Sequence, residues 1–216
     1  MNVRLLPARP PARAIDPIVR ILASIGVTPA ALTTAGLVGN VLAAALIVQG
    51  SLLAGGIVVL LASALDMLDG ALARATGSAS RFGAMFDSVL DRFSEAVVLF
   101  GIAWYGVERG DTEVVVLAFA AVVGSLMVSY VRARAEGLNL QLRDGIFTRA
   151  ERVVLTGAML ILGYVTIGLW VLATLSLFTA FQRLWIASRM LLEADAPPKP
   201  PRPVTAPKNA KPEPRR

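Results

Sequence analysis

Four aspartates, Asp66, Asp69, Asp87 and Asp91, fall within one stretch, ALDMLDGALARATGSASRFGAMFDSVLDRFSEA, residues 64–96. Carboxylates so grouped can bind hard cations or move protons, and the composition leaves few other chemistries. The chain has no Cys and no His. That excludes disulfides, thiolate or imidazole metal ligands, and Ser-His or Cys-His nucleophiles. Read as helix, Asp66, Asp69, Gly70 and Ala73 share an arc of about 100°, with Arg74 at its edge. On the next helix Gly83, Asp87 and Asp91 share a face, and Glu95 lies one turn deeper. The short connection predicts two antiparallel, adjacent helices whose aspartate faces meet. Four converging anions repel one another, and Arg74 and Arg92 cannot balance them all. Divalent cations can, and a donor set made only of oxygens suits Mg²⁺ or Mn²⁺. Two pairs of carboxylates fit a two-metal cluster. The rival from another class is a divalent-cation transporter whose acids line an ion path.

The elements that hold these residues read as membrane spans. The chain of 216 residues is 56% hydrophobic and 17% charged, with a mean hydropathy of +0.66; soluble domains carry about 25% charged residues. A bilayer core about 30 Å thick needs roughly 20 apolar residues per helix. Six such runs occur, near 33–49, 52–73, 83–106, 112–133, 151–166 and 168–190. The expected fold is an all-α membrane protein with six transmembrane helices, preceded by a juxtamembrane amphipathic helix. Carboxylates inside such a bilayer cost roughly 2.5–3.5 kcal/mol each, so four of them call for a function.

Three regions follow. Residues 1–32 are an N-terminal segment in which Ile15, Ile18, Val19, Ile21 and Leu22 recur at helical spacing. Such a helix either lies on the membrane surface or packs against the spans. Residues 33–190 form the six-helix transmembrane domain that carries the aspartates. Residues 191–216 form a tail rich in Pro, Lys and Arg, too poor in apolar residues from Ala196 onward to order itself. The net charge is +6, and six of the 21 basic residues lie in this tail. Most others cluster at the ends of apolar runs, which argues for topology rather than nucleic acid. Arg4, Arg9, Arg13, Arg20, Arg74, Arg81, Arg132, Arg134, Arg143, Arg149, Arg152, Arg183 and Arg189 all fall on one side of a six-span arrangement, whereas the opposite loops hold only Arg109. The positive-inside rule makes that side cytoplasmic, with both termini and the aspartates on it, in a multi-pass protein of the cell membrane. No cleavable signal peptide is expected, because Arg and Pro break the first thirty residues. No internal repeat is found, which weakens the transporter reading.

The pattern Asp66-x2-Asp69-Gly70-x2-Ala73-Arg74-x8-Gly83-x3-Asp87-x3-Asp91 resembles the signature of the CDP-alcohol phosphatidyltransferase family at each fixed position and spacing. The resemblance covers all six runs and omits only the tail. It implies a homodimeric six-helix membrane enzyme that cleaves the pyrophosphate of a CDP-linked donor and releases CMP. It makes Asp66, Asp69 and Asp87 metal ligands, and Asp91 the general base that also touches a metal. Two ions per site are implied, Mg²⁺ or alternatively Mn²⁺. Gly26 to Thr33 resembles the family's Thr-Pro-x3-Thr segment beside the cytidine, although Thr28-Pro29 also suits a plain helix start. The donor site so implied comprises Pro29, Ala30, Ala31, Leu32, Thr33, Asp69, Gly70, Ala73, Arg74 and Ser80. Gly70 and Ala73 leave room for a nucleotide, and Arg74 can pair with its phosphates.

A second, basic group reads as an acceptor site. Arg132 ends the fourth run, Arg149 and Arg152 open the fifth, and Arg183 lies in the sixth. Each alone is equally a topology determinant. Together they resemble the basic positions that hold the acceptor phosphate in the family's phosphatidylinositol phosphate synthases. The expected reaction is transfer of a phosphatidyl group from CDP-diacylglycerol to a phosphorylated polyol, inositol phosphate foremost. Glycerol 3-phosphate, as in phosphatidylglycerophosphate synthases, is the alternative acceptor.

Overall fold

Several helices start where the sequence supplies a capping side chain. Thr28 caps the helix Pro29–Val48 by accepting a hydrogen bond from the Ala31 amide at 3.2 Å. Ser80 and Asp111 do the same for Arg81–Glu108 and Thr112–Gly137, accepting from Gly83 at 3.0 Å and Val114 at 3.1 Å. Such caps satisfy amides that no helical carbonyl can reach. The computed structural model describes residues 12–142 and 145–195, which form seven helices and no strand. They are α1 (Ala12–Ser24), α2 (Pro29–Val48), α3 (Leu52–Ala75), α4 (Arg81–Glu108), α5 (Thr112–Gly137), α6 (Arg149–Leu162) and α7 (Val165–Ala194). The tail from Ala196 onward, for which the sequence predicts disorder, lies outside the described residues.

Four helices, α2, α3, α5 and α7, are long and apolar enough to cross a membrane. Helix α4 has 28 residues but carries Arg81, Asp87, Asp91, Arg92 and Glu95 within its first fifteen. Helix α6 has 14 residues, about 21 Å of helix at 1.5 Å per residue. The apolar run 151–166 is therefore not one helix. Gly163 takes a left-handed conformation with φ 75° and stops α6 at Leu162, as a glycine past a helix end commonly does.

The six long helices close into a ring. Helix α2 packs on α3 and α4, α5 on α4 and α7, and α6 on α3 and α7. The shared core holds Ala43, Ile47, Leu99, Ile102, Ala118 and Leu169, all nearly inaccessible. Small residues permit the closest crossings. A methyl added at Gly101 would stand 2.9 Å from the Ala44 Cα, and one at Gly124 would stand 2.8 Å from the Ser176 Cβ. Close approach through small residues is how helices pack where no water drives them together. The outer surface is apolar, with Leu61, Phe100, Phe119, Trp170, Phe178 and Trp185 exposed. Helix α1 sits against α3. Its Val19 is buried with Leu32 and Leu72, flanked by Ile15 and Leu22, while Ile18 and Ile21 stay exposed.

The sequence places the two aspartate helices side by side, and here the structure differs. Helices α3 and α4 touch at few positions, because α2 packs against both of them. The aspartate faces converge across a cleft rather than through a packed seam.

Candidate active site

The end of α3 and the first half of α4 carry the carboxylates to the floor of this cleft. Asp66, Asp69 and Asp91 are buried, and Asp87 is half-buried. The Arg149 Nη2 donates to Asp66 Oδ2 at 2.8 Å and lies 2.8 Å from Asp91 Oδ1. It thereby links α3, α4 and α6. Arg92 Nη1 stands 3.6 Å from Asp91 Oδ2 and is tied to its own helix through the Ser88 carbonyl at 2.5 Å. The Thr33 hydroxyl donates to Asp69 Oδ2 at 2.6 Å, so α2 orients that carboxylate. Helix α2 also passes directly over Asp66: a methyl on Gly36 would fall 1.9 Å from Asp66 Oδ1. Only glycine leaves that carboxylate its place.

The donor set suits a divalent cation. It consists of four carboxylates with no nitrogen or sulfur ligand, and Asp91 Oδ1 is buried with an ionic partner but no hydrogen bond. Among the described residues, no three acidic side chains are disposed around one common ion. The reason is visible in the pairing. A guanidinium stands between Asp66 and Asp91, and Asp69 is turned to Thr33. The positive charge that the aspartates require is supplied in this arrangement by Arg149.

Beside the aspartates opens a cavity of about 620 Å³ between the N-terminus of α2, the end of α3 and the start of α4. Pro29, Ala30, Thr33, Asp69, Gly70, Ala73, Arg74 and Ser80 all line it, as do Gly83 and Asp87. Ala31 and Leu32 do not. Leu32 is buried against Val19 and Leu72 and anchors α1. Arg74 is exposed, and its guanidinium lies over Gly70, where a methyl would come within 3.3 Å of Nη1. Two helix N-termini, those of α2 and α4, border the cavity and favour anions there. Phe82 and Phe86, with ring centroids 5.8 Å apart, form an apolar wall.

The four arginines expected at an acceptor site divide. Arg149 reaches the aspartates. Arg152, only 2% exposed, donates through Nε and Nη2 to Glu95 at 2.6 and 2.9 Å. Arg183 is buried and donates from Nη1 to the Val128 carbonyl at 2.8 Å. Its guanidinium covers Gly145, where φ is +150° and a methyl would stand 2.7 Å from Nε. Arg132 is exposed and pairs with Glu136 on its own helix at 2.8 Å, so nothing draws it to the aspartates.

Residues 26–187 match the family model for CDP-alcohol phosphatidyltransferase. The chain belongs to that family. It is accordingly an enzyme of this class and a membrane protein. The archaetidylinositol phosphate synthase of Pyrococcus horikoshii is 41% identical over 179 residues, covering 82% of this chain and 92% of that protein. The phosphatidylinositol phosphate synthase of Mycobacteroides abscessus is 38% identical over 182 residues, covering 80% and 83%. A crystal structure of the Mycobacterium tuberculosis phosphatidylinositol phosphate synthase with CDP-DAG bound superposes with a TM-score of 0.76 at 34% identity, covering 82% of this chain and 94% of that one. A second structure of that enzyme, in complex with manganese and citrate, gives 0.71 at 34% identity, over 81% and 88%.

Two positioning features escape the motif. Gly36 shows no signal in one sequence beyond being a glycine in an apolar helix. The second was legible: Thr148-Arg149-Ala150-Glu151 spells a capping box. The Thr148 amide donates to Glu151 Oε2 at 2.6 Å, and the Thr148 hydroxyl bonds the same carboxylate. The box fixes the start of α6 and so sets Arg149 and Arg152 one turn apart.

Proposed function

We propose that this enzyme transfers a phosphatidyl group from CDP-diacylglycerol to inositol phosphate, releasing CMP. The observation that carries this reading is the cavity of about 620 Å³ that runs from Arg74 to Asp69 and Asp87. The relatives named as archaetidylinositol phosphate and phosphatidylinositol phosphate synthases, one solved with CDP-DAG bound, support this choice of substrates. The donor's pyrophosphate lies against Arg74 and the helix N-termini, which supply charge and N–H donors. Its acyl chains leave past Phe82 into lipid. Asp91 takes the proton of the acceptor hydroxyl. That oxygen bonds to the lipid-linked phosphorus, the bond from this phosphorus to the bridging oxygen breaks, and CMP departs with the electron pair. Arg152 and Arg183, with Arg149, bind the acceptor phosphate, whereas Arg132 stays paired with Glu136 on its own helix. Divalent cations, for which Asp66, Asp69, Asp87 and Asp91 are the ligands, neutralise the pyrophosphate when bound; we take them to be two Mg²⁺, replaceable by Mn²⁺.

The same reading extends to the setting. All six helices of the ring lie within the bilayer, α4 flanked by the apolar α2 and α5 and α6 by α3 and α7, and α1 rests at the interface with Ile18 and Ile21 turned to lipid. The skewed distribution of arginines supports cytoplasmic termini and a cytoplasmic site in the cell membrane. The protein works as a homodimer, residues 33–190 forming its catalytic unit between the N-terminal segment and the basic tail.

The test is a product assay. Purified protein receives CDP-diacylglycerol, Mg²⁺ and, separately, inositol phosphate, inositol or glycerol 3-phosphate, and the lipid formed is identified by mass. Phosphatidylinositol phosphate with equimolar CMP is expected. Phosphatidylglycerol phosphate as the sole product overturns the acceptor assignment, and ion flux without CMP release overturns the reaction.

A further inference from the structure

Helix α4 is joined to α6 by two acid–arginine rungs one helical turn apart. The outer rung is Asp91 with Arg149 at 2.8 Å and belongs to the aspartate cluster. The inner rung is Glu95 with Arg152, and no part of the reaction described so far uses the carboxylate. Its geometry is a two-point clamp: Glu95 Oε1 accepts from Nε at 2.6 Å and Oε2 from Nη2 at 2.9 Å. A planar guanidinium held at two points has no freedom to turn. The third donor nitrogen, Nη1 of Arg152, is buried and has no hydrogen-bond partner. An unpaired buried donor is costly to leave unmade, so a fixed arginine with one idle nitrogen points to a ligand that is absent from the fold itself. The chain builds this rung with care. α6 packs on α3 and α7, while α4 packs on α2 and α5, so side chains rather than backbone contacts tie α4 to α6. Beside Glu95 and Arg149 lies a cavity of about 20 Å³, also bounded by Asn40, Ser63, Ser94 and Thr156. It is large enough for one water and rich in hydroxyls.

We propose that Glu95 is a positioning residue for the acceptor phosphate: it fixes Arg152 so that Nη1 meets a phosphate oxygen, and thereby sets the preference for a phosphorylated over an unphosphorylated acceptor. This rests on the phosphorylated-acceptor reading above. Glu95 touches no substrate in this role. A purely structural pair that only braces α4 against α6 is the competing account, and kinetics separates the two.

The experiment measures KM for inositol phosphate, KM for CDP-diacylglycerol and inhibition by inorganic phosphate in the full-length protein. Glu95→Gln keeps the shape but not the charge. It is expected to raise the acceptor KM and the phosphate inhibition constant about tenfold, with the donor KM within about twofold of wild type. Glu95→Asp holds the charge on an arm one methylene shorter, so that Arg152 must shift to follow it. It folds more safely and is expected to show the same split at about threefold. The Glu95→Gln, Arg152→Gln double variant is expected to bind acceptor no worse than Arg152→Gln alone, since Glu95 acts through the arginine. Unchanged acceptor KM and phosphate inhibition in Glu95→Asp overturn the proposal, as does an equal rise in both substrate KM values or additivity in the double variant. Wild-type protein that makes no lipid from inositol phosphate overturns the acceptor reading instead, a distinct result.

Discussion

On the α2–α3–α4 side of the cleft, Arg74 and Ser80 stand exposed around an open cavity. On the α6–α7 side, Arg152 and Arg183 are buried and already bonded, to Glu95 and to the Val128 carbonyl. Under the proposed function, the difference follows from what each side would recognise. A CDP-linked lipid is large and half apolar, and it calls for space, small residues and two helix N-termini. A phosphorylated polyol is small and highly charged, and it calls for cations whose geometry is set beforehand, because a guanidinium free to wander loses entropy on binding. Between the halves lie the aspartates, where Arg149 contacts both Asp66 and Asp91.

The comparison breaks most completely at the metals. Excess EDTA should abolish product formation from CDP-diacylglycerol, and Mg²⁺ or Mn²⁺ should restore it. Undiminished turnover in the chelator would remove the carboxylates from the chemistry. Next comes Asp91→Asn, expected to lower kcat on the order of 10²-fold or more while the CDP-lipid still binds, as read by nucleotide titration. A near-normal kcat there would place the base elsewhere. The two halves then part in a pair of substitutions. Arg152→Gln should raise the acceptor KM about tenfold and leave the donor KM alone, whereas Arg74→Gln should do the reverse. Arg152→Gln should also lower thermal stability, because it strands Glu95, and breaking a buried pair costs about 3–5 kcal/mol. If both variants move both KM values equally, the cleft is a single site without halves. Smallest of all is Arg132→Gln. The side chain is exposed and paired only within its own helix, and such pairs contribute about 0.3–0.5 kcal/mol. We expect an acceptor KM within about twofold of wild type; a tenfold rise would bring Arg132 into the acceptor site.

The sequence by itself determined the helices, their caps and the chemistry of the aspartate stretch. Hydropathy over some 20 residues and a threonine, serine or aspartate before most starts are local signals, and the spacing of Asp66, Asp69, Asp87 and Asp91 is a property of one segment. The sequence also exposed the cavity's lining, since Gly70, Ala73, Arg74 and Ser80 lie within fifteen positions of one another. It misjudged the end of the fifth apolar run, where periodicity continues past Gly163 but the left-handed backbone does not. It placed α3 against α4, because chain proximity is the only distance a sequence contains. Only the tertiary structure decided that α2 separates those helices, that Gly36 makes room for Asp66, and that Arg149 and Arg152 reach the acids of α4. It alone parted Arg132 from Arg152, two cations that look alike in the sequence. The physical reason is common to all of these. Whether an arginine is a topology signal or a fixed donor depends on which carboxylate or carbonyl lies within 3 Å of it, and for Arg149, Arg152 and Arg183 that partner sits 55 to 83 residues away in the chain.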